Sequence, residues 1–134
     1  MTDQSAVLFA NEAFYAAFTG RDMEAMKGVW AEGEKITCIH PGWPPLAGRD
    51  EVIGSWGSIL GGDSSPEITC RSPMAYVFDD MAYVICHEVL LDGALLATNI
   101  FSRDGGRWRM IHHQAGTASP MPHGPDQTEE AILQ

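Results

Sequence analysis

The chain has 134 residues, with 8 basic against 18 acidic side chains, a formal net charge of −10, and 45% apolar types. This is the balance of a globular chain and not a disordered one, and the length suits one domain that buries about two-thirds of its unfolded surface. The acidic excess argues against a basic face for nucleic acid or an anionic membrane, and no apolar run approaches the ~18 residues of a membrane-crossing helix.

The N-terminal stretch lacks a basic segment and carries Asp3, Asn11 and Glu12, so it is not read as a signal peptide. Cys38, Cys70 and Cys86 are odd in number and lack metal-type spacing, which points to a reduced, cytoplasmic protein. In residues 4–19, Val7, Ala10, Phe14, Ala17 and Phe18 recur at helical spacing, and Gly20 is a natural stop. Asp22 suits the cap of a short second helix whose Met23, Met26 and Trp30 share one face. A short strand follows from Lys35 to His40. Pro41, Pro44 and Pro45 then make the next stretch a rigid loop, because prolines remove donors and fix φ. A third helix is predicted from Arg49 to Leu60, with Asp50 and Glu51 in its first turn and Val52, Ile53, Trp56, Ile59 and Leu60 as its buried stripe.

From Pro66 onward the texture is that of strands, over 67–78, 81–91, 94–103 and 107–116. The separating Asp79-Asp80, Asp92-Gly93 and Asp104-Gly105-Gly106 are hairpin signals. Helices followed by an antiparallel meander predict an α+β domain over 1–119, with an acidic, proline-containing tail over 120–134. Strict alternation in the last strand sends Trp108, Met110 and His112 outward and Ile111 and His113 inward. Both faces of the strands are apolar, so a second cover is needed beyond the helices. A homodimer packed sheet to sheet supplies it.

Two stretches carry a resemblance. They run from His40-Pro41-Gly42-Trp43 to Gly48-Arg49-Asp50, and from Arg103-Asp104-Gly105-Gly106 to His112-His113. With the element order, they make residues 4–119 resemble the nuclear transport factor 2-like superfamily, in particular its SnoaL-like branch. The second stretch is similar to the end of the calmodulin-dependent kinase II association domain. The resemblance implies a conical, curved antiparallel sheet wrapped around three N-terminal helices, an apolar cavity at the wide end, and homodimers through the sheet. Such folds include ketosteroid isomerases, polyketide cyclases, dehydratases, epoxide hydrolases and non-catalytic scaffolds, so the fold implies a pocket and not one reaction.

Residue by residue, the resemblance places His40 at the isomerase's general-base position, Phe14 at its oxyanion tyrosine, Asn99 at its protonated aspartic acid and Trp56 at its supporting tyrosine. The arginines lining the kinase domain's pocket fall on Ile85, Asn99 and Ala115, so no guanidinium cluster is implied. An imidazole accepts a proton near neutral pH, which makes His40 the candidate base or acid. Asn99 and His113 would orient a substrate oxygen. Alternation puts Ile85 and His87 with Tyr83 on the cavity wall, beside Ile111, while Phe14, Trp43 and Trp56 give it an aromatic lining. Each of these is also readable as simple core.

His40, His87 and His113 come from separate strands with no carboxylate expected on the same faces, so no metal site is expected. The expected function is cofactor-independent binding of a small apolar or aromatic, carbonyl-bearing metabolite, with isomerisation, cyclisation or dehydration as the reaction class. The alternative is a non-catalytic ligand-binding or oligomerisation module. The expected partners are that metabolite and a second copy of the chain, with neither nucleic acid nor membrane.

Overall fold

Thr2 opens the first helix: its hydroxyl accepts from the Ser5 amide, which satisfies one of the donors a helix start leaves unpaired. The computed structural model describes residues 1–118, so the expected tail over 120–134 lies outside the described residues. Helix α1 runs Asp3–Thr19 and α2 runs Met23–Val29, capped by Asp22 through the Ala25 amide as expected. Strand β1 is Thr37–Ile39 and the two-residue β2 is Leu46–Ala47. Helix α3, Arg49–Gly61, starts from Gly48, whose φ of 87° is open to glycine at little cost. The Arg49 guanidinium donates to the carbonyls of Lys27, Trp30 and Ala31. It thereby ties the start of α3 to the end of α2, where carbonyls otherwise lack partners.

The strands β3 Thr69–Phe78, β4 Met81–Leu90, β5 Gly93–Asp104 and β6 Arg107–Thr117 form the expected meander. The whole sheet has six strands in the order β2-β1-β6-β5-β4-β3. It is mixed and not purely antiparallel, because β1 pairs parallel with β6, Cys38 opposite His113. Parallel neighbours need a long connection, and here everything from β2 to β5 lies between them. The helices cover one face of this curved sheet. Val7, Phe14, Met26, Trp30, Val52 and Trp56 meet Val84, Phe101 and Met110 in a single core, all with no exposed surface.

Two strand faces differ from the alternation expected. On β4 the inward set is Ala82, Val84, Cys86 and Glu88, while Tyr83, Ile85 and His87 lie on the outer face. On β6 a bulge at Ile111 breaks the alternation: Ile100 pairs with His112, and the next residue, Phe101, pairs with Met110. Met110 is therefore buried and not outward, while His113 still faces inward and His112 outward, where its Nδ1 lies 2.6 Å from the Thr37 hydroxyl.

Candidate functional site

A cavity of about 550 Å³ opens where β1 gives way to the proline loop. Its walls come from Phe18 at the end of α1, from Ile59 and the segment after α3, and from Leu90 and Leu95 on β4 and β5. Its titratable groups are His40, His113 and Glu88, its other polar side chains include Ser58, Ser64 and Ser65, and Trp43 also lines it. The Trp43 amide donates to the His40 carbonyl over 2.9 Å, and this turn sets the indole 4.8 Å from the His40 ring. Proline stiffness and one turn thus fix the imidazole and its aromatic neighbour together.

Glu88 is the residue that sequence reasoning missed. It is 1% exposed and faces the helices from β4. The Tyr15 hydroxyl donates to its Oε2 over 2.7 Å. Asn99 Nδ2 in turn donates to the Tyr15 hydroxyl at 3.1 Å and to Asn11 Oδ1 at 2.8 Å. Asn99 Oδ1 then faces His113 Nδ1 at 2.6 Å. Each link determines the next. A tyrosine that donates to a carboxylate accepts through its oxygen, so the amide nitrogen must face it, and the amide oxygen is left for the imidazole. His113 therefore carries its proton on Nδ1, and its Nε2 lone pair lies 3.9 Å from Glu88 Oε2, too far for a hydrogen bond.

His40 is arranged by similar logic. The Ser55 hydroxyl donates to the Val52 carbonyl at 2.7 Å, so it accepts from His40 Nε2 at 2.9 Å. His40 Nδ1 is then the unprotonated nitrogen. It meets the Cys38 thiol at 3.9 Å, a sulfur almost equidistant from both ring nitrogens and hence packed against the ring without direction.

Burial sets the charge states. It lowers His40 from 6.5 to about 4. Burial, followed by the neighbouring His40 and His112, lowers His113 to about 3. Both imidazoles are neutral at pH 7. Burial raises the Glu88 carboxyl above the ordinary carboxylate range, partly offset by the Tyr15 hydrogen bond. Burial and then the Glu88 charge push the Tyr15 hydroxyl far above the phenol range, so it remains a neutral donor.

Of the expected lining residues only Trp43 joins His40 and His113 at the cavity. Phe14 and Trp56 are core one layer behind, 4.9 and 5.9 Å from the His113 ring. Asn99 also stands behind His113 and does not face the cavity. Tyr83, Ile85 and His87 are on the other side of the sheet, and Ile111 occupies the bulge. The expectation that no carboxylate shares a face with the histidines is overturned by Glu88, and the hydroxyl absent at Phe14 is present one residue on, at Tyr15. Two thiols adjoin this network: Cys86 Sγ lies 3.3 Å from the Tyr15 hydroxyl and Asn11 donates to Cys70 Sγ at 3.7 Å. Two signals pointed this way. Asn11 and Tyr15 are one helical turn apart, and Glu88 alternates with Ala82, Val84 and Cys86. Among the described residues, no group of three or more His, Cys, Asp or Glu is placed to hold a metal, and no helix is long and apolar enough to cross a membrane.

Residues 7–120 match the family model of the SnoaL-like domain. A Thiobacillus denitrificans protein assigned to the calcium/calmodulin-dependent protein kinase type II association domain is 34% identical with a TM-score of 0.75, covering 82% of this chain and 93% of that one. A Streptomyces avermitilis protein of the NTF2-like family, assigned as a dehydratase, is 29% identical with a TM-score of 0.78, covering 87% and 96%. F-box protein SKIP8 of Arabidopsis thaliana is 30% identical over 112 residues, 82% of this chain and 48% of that protein. The chain thus spans about half the length of that curated relative.

Proposed function

The chain belongs to the SnoaL-like domain family, and on that premise we propose that it binds a small, largely apolar molecule in the cavity, held at its polar end by Glu88, His113 and His40. The observation that carries this reading is the buried Glu88 carboxyl, which faces an apolar cavity with one hydroxyl upon it. A carboxyl taken out of water costs stability unless it is fully paired, so its retention in such a place is explained by a ligand that completes it. A cavity of this size with few polar groups is the usual form of a small-molecule site.

The charge states favour binding over proton abstraction by histidine. A general base works best with a pKa near the working pH, and His40 and His113 titrate at about 4 and about 3. Glu88, shifted upward, is the group nearest to exchanging a proton with a bound molecule. Asn99 gives little support to a carbonyl ligand, because its two amide donors are engaged by Asn11 and Tyr15. The test is a small-molecule screen followed by NMR. Binders should shift the Trp43 indole and the His40 and His113 ring resonances. Shifts confined to the outer sheet face, or none, would overturn the reading.

A specific observation favours self-association as a second function. The outer face of β3 and β4 exposes Tyr76 (40%), Phe78 (62%), Met81 (44%) and Ile85 (39%), with Tyr76 and Phe78 stacked on Tyr83. An apolar surface of this kind marks an interface, and a second copy of the same face would cover it. Likeness to a protein assigned as an association domain points the same way. The two functions use opposite faces of the sheet.

A further inference from the structure

We infer that the cavity selects a cation, a protonated amine on an apolar body, whose ammonium bridges Glu88 and His113. This rests on the small-molecule reading above and names the ligand's chemistry. The argument is a count of donors and acceptors. His113 directs its one N–H at Asn99, His40 directs its N–H at Ser55, and Tyr15 directs its hydroxyl at Glu88. What remains at the Glu88–His113 end of the cavity is the Glu88 carboxyl and the His113 Nε2 lone pair, both acceptors when Glu88 is ionised, while Ser58, Ser64 and Ser65 line the wall along the end of α3 and the segment after it.

A ligand carbonyl or carboxylate placed between Glu88 and His113 would meet two acceptors with no hydrogen to share there. An ammonium carries three donors and no acceptor. Glu88 Oε2 and His113 Nε2 stand 3.9 Å apart, a bite that lets one nitrogen lie at hydrogen-bond distance from both. Bound there, the cation would also hold Glu88 ionised, removing the cost of an unpaired buried charge. Phe18 and Trp43 bring aromatic rings, the groups that attract cations, to the cavity lining. Among the described residues lining the cavity none is Lys or Arg, and the chain's net charge of −10 draws cations from solution.

The test compares four probes with one ring: benzylamine, benzyl alcohol, benzaldehyde and benzoate, titrated by NMR at neutral pH into the full chain and into Glu88→Gln. Glutamine keeps an oxygen for the Tyr15 hydroxyl, and unfolding of the variant is measured alongside. The expected result is that benzylamine binds tightest, benzaldehyde and benzoate bind at least tenfold more weakly, and Glu88→Gln weakens benzylamine at least tenfold while leaving benzyl alcohol unchanged. Any other probe binding as tightly as benzylamine, or benzylamine binding Glu88→Gln as tightly as the parent, overturns the cation assignment and leaves the small-molecule reading standing. Binding of none of the four overturns both.

Discussion

Tyr15 on the first helix donates its hydroxyl to Glu88 on the fourth strand over 2.7 Å, a buried bond that joins residues 73 apart in sequence. That bond connects the α1 face to the cavity, because the same hydroxyl accepts from Asn99, and Asn99 holds His113. Tyr15→Phe leaves Glu88 without its donor and one Asn99 hydrogen without an acceptor. It should lower unfolding free energy by about 1–3 kcal/mol, the cost of stranding buried polar groups, as read by urea denaturation.

His40 and His113 should respond differently to leucine. Without His113, Asn99 Oδ1 loses its donor at 2.6 Å, and the expected loss is about 1–3 kcal/mol. Without His40, the Ser55 hydroxyl still donates to Val52, so His40→Leu should be within about 0.5 kcal/mol of the parent or more stable. Equal losses for the two would refute this difference between an imidazole whose partner depends on it and one whose partner does not.

Stability should depend on pH in two opposing ways. Both imidazoles titrate below the ordinary 6.5 when folded, at about 4 and about 3. Between those values and 6.5 the unfolded chain binds more protons, so stability present above pH 6.5 is lost as pH falls, by up to ~1.4 kcal/mol per unit for each imidazole. Glu88 has the opposite sign: raised on folding, it favours the fold below the ordinary carboxylate range, a contribution lost as pH rises through its folded value. Urea unfolding across pH 4 to 8 (roughly the window these shifts define) should show a shallower acid loss in His113→Leu. Glu88→Gln should be at least as stable as the parent at the upper end of that window.

Charging the outer sheet face should change mass and not fold. Ile85→Lys puts a cation amid the exposed Tyr76, Phe78 and Met81, which a partner copy would have to desolvate. Sedimentation velocity should show a dimer for the parent and a monomer for the variant with unchanged far-UV circular dichroism. A parent that sediments as a monomer would refute self-association through this face.

Much of the fold is legible in local chemistry. Asp22 caps α2, Gly48 admits the turn into α3, and tight turns fall where the Asp-Gly signals stand, with Leu91-Asp92 and Gly105-Gly106 as the turn residues, because each effect is settled within a few residues. His40 and Trp43 reached the cavity for the same reason: a proline-stiffened turn holds them whatever surrounds it. The parallel pairing of β1 with β6 was not legible, since nothing local in either strand names its partner.

The sequence by itself determined the order of the elements other than the two-residue β2, the family fold and two of the three titratable groups at the cavity, since these follow from spacing, turn chemistry and resemblance. Tertiary structure alone decided which half of each strand faces inward. Alternation divides β4 into Tyr83, Ile85 and His87 against Ala82, Val84, Cys86 and Glu88, but both sets are apolar enough to be core, and only packing against α1 chooses between them. On β6 one bulged residue, Ile111, reverses the parity that the sequence implies. A shift of one position exchanges every side chain across a sheet, and that is why the carboxyl at the cavity's polar end became visible only in the folded chain.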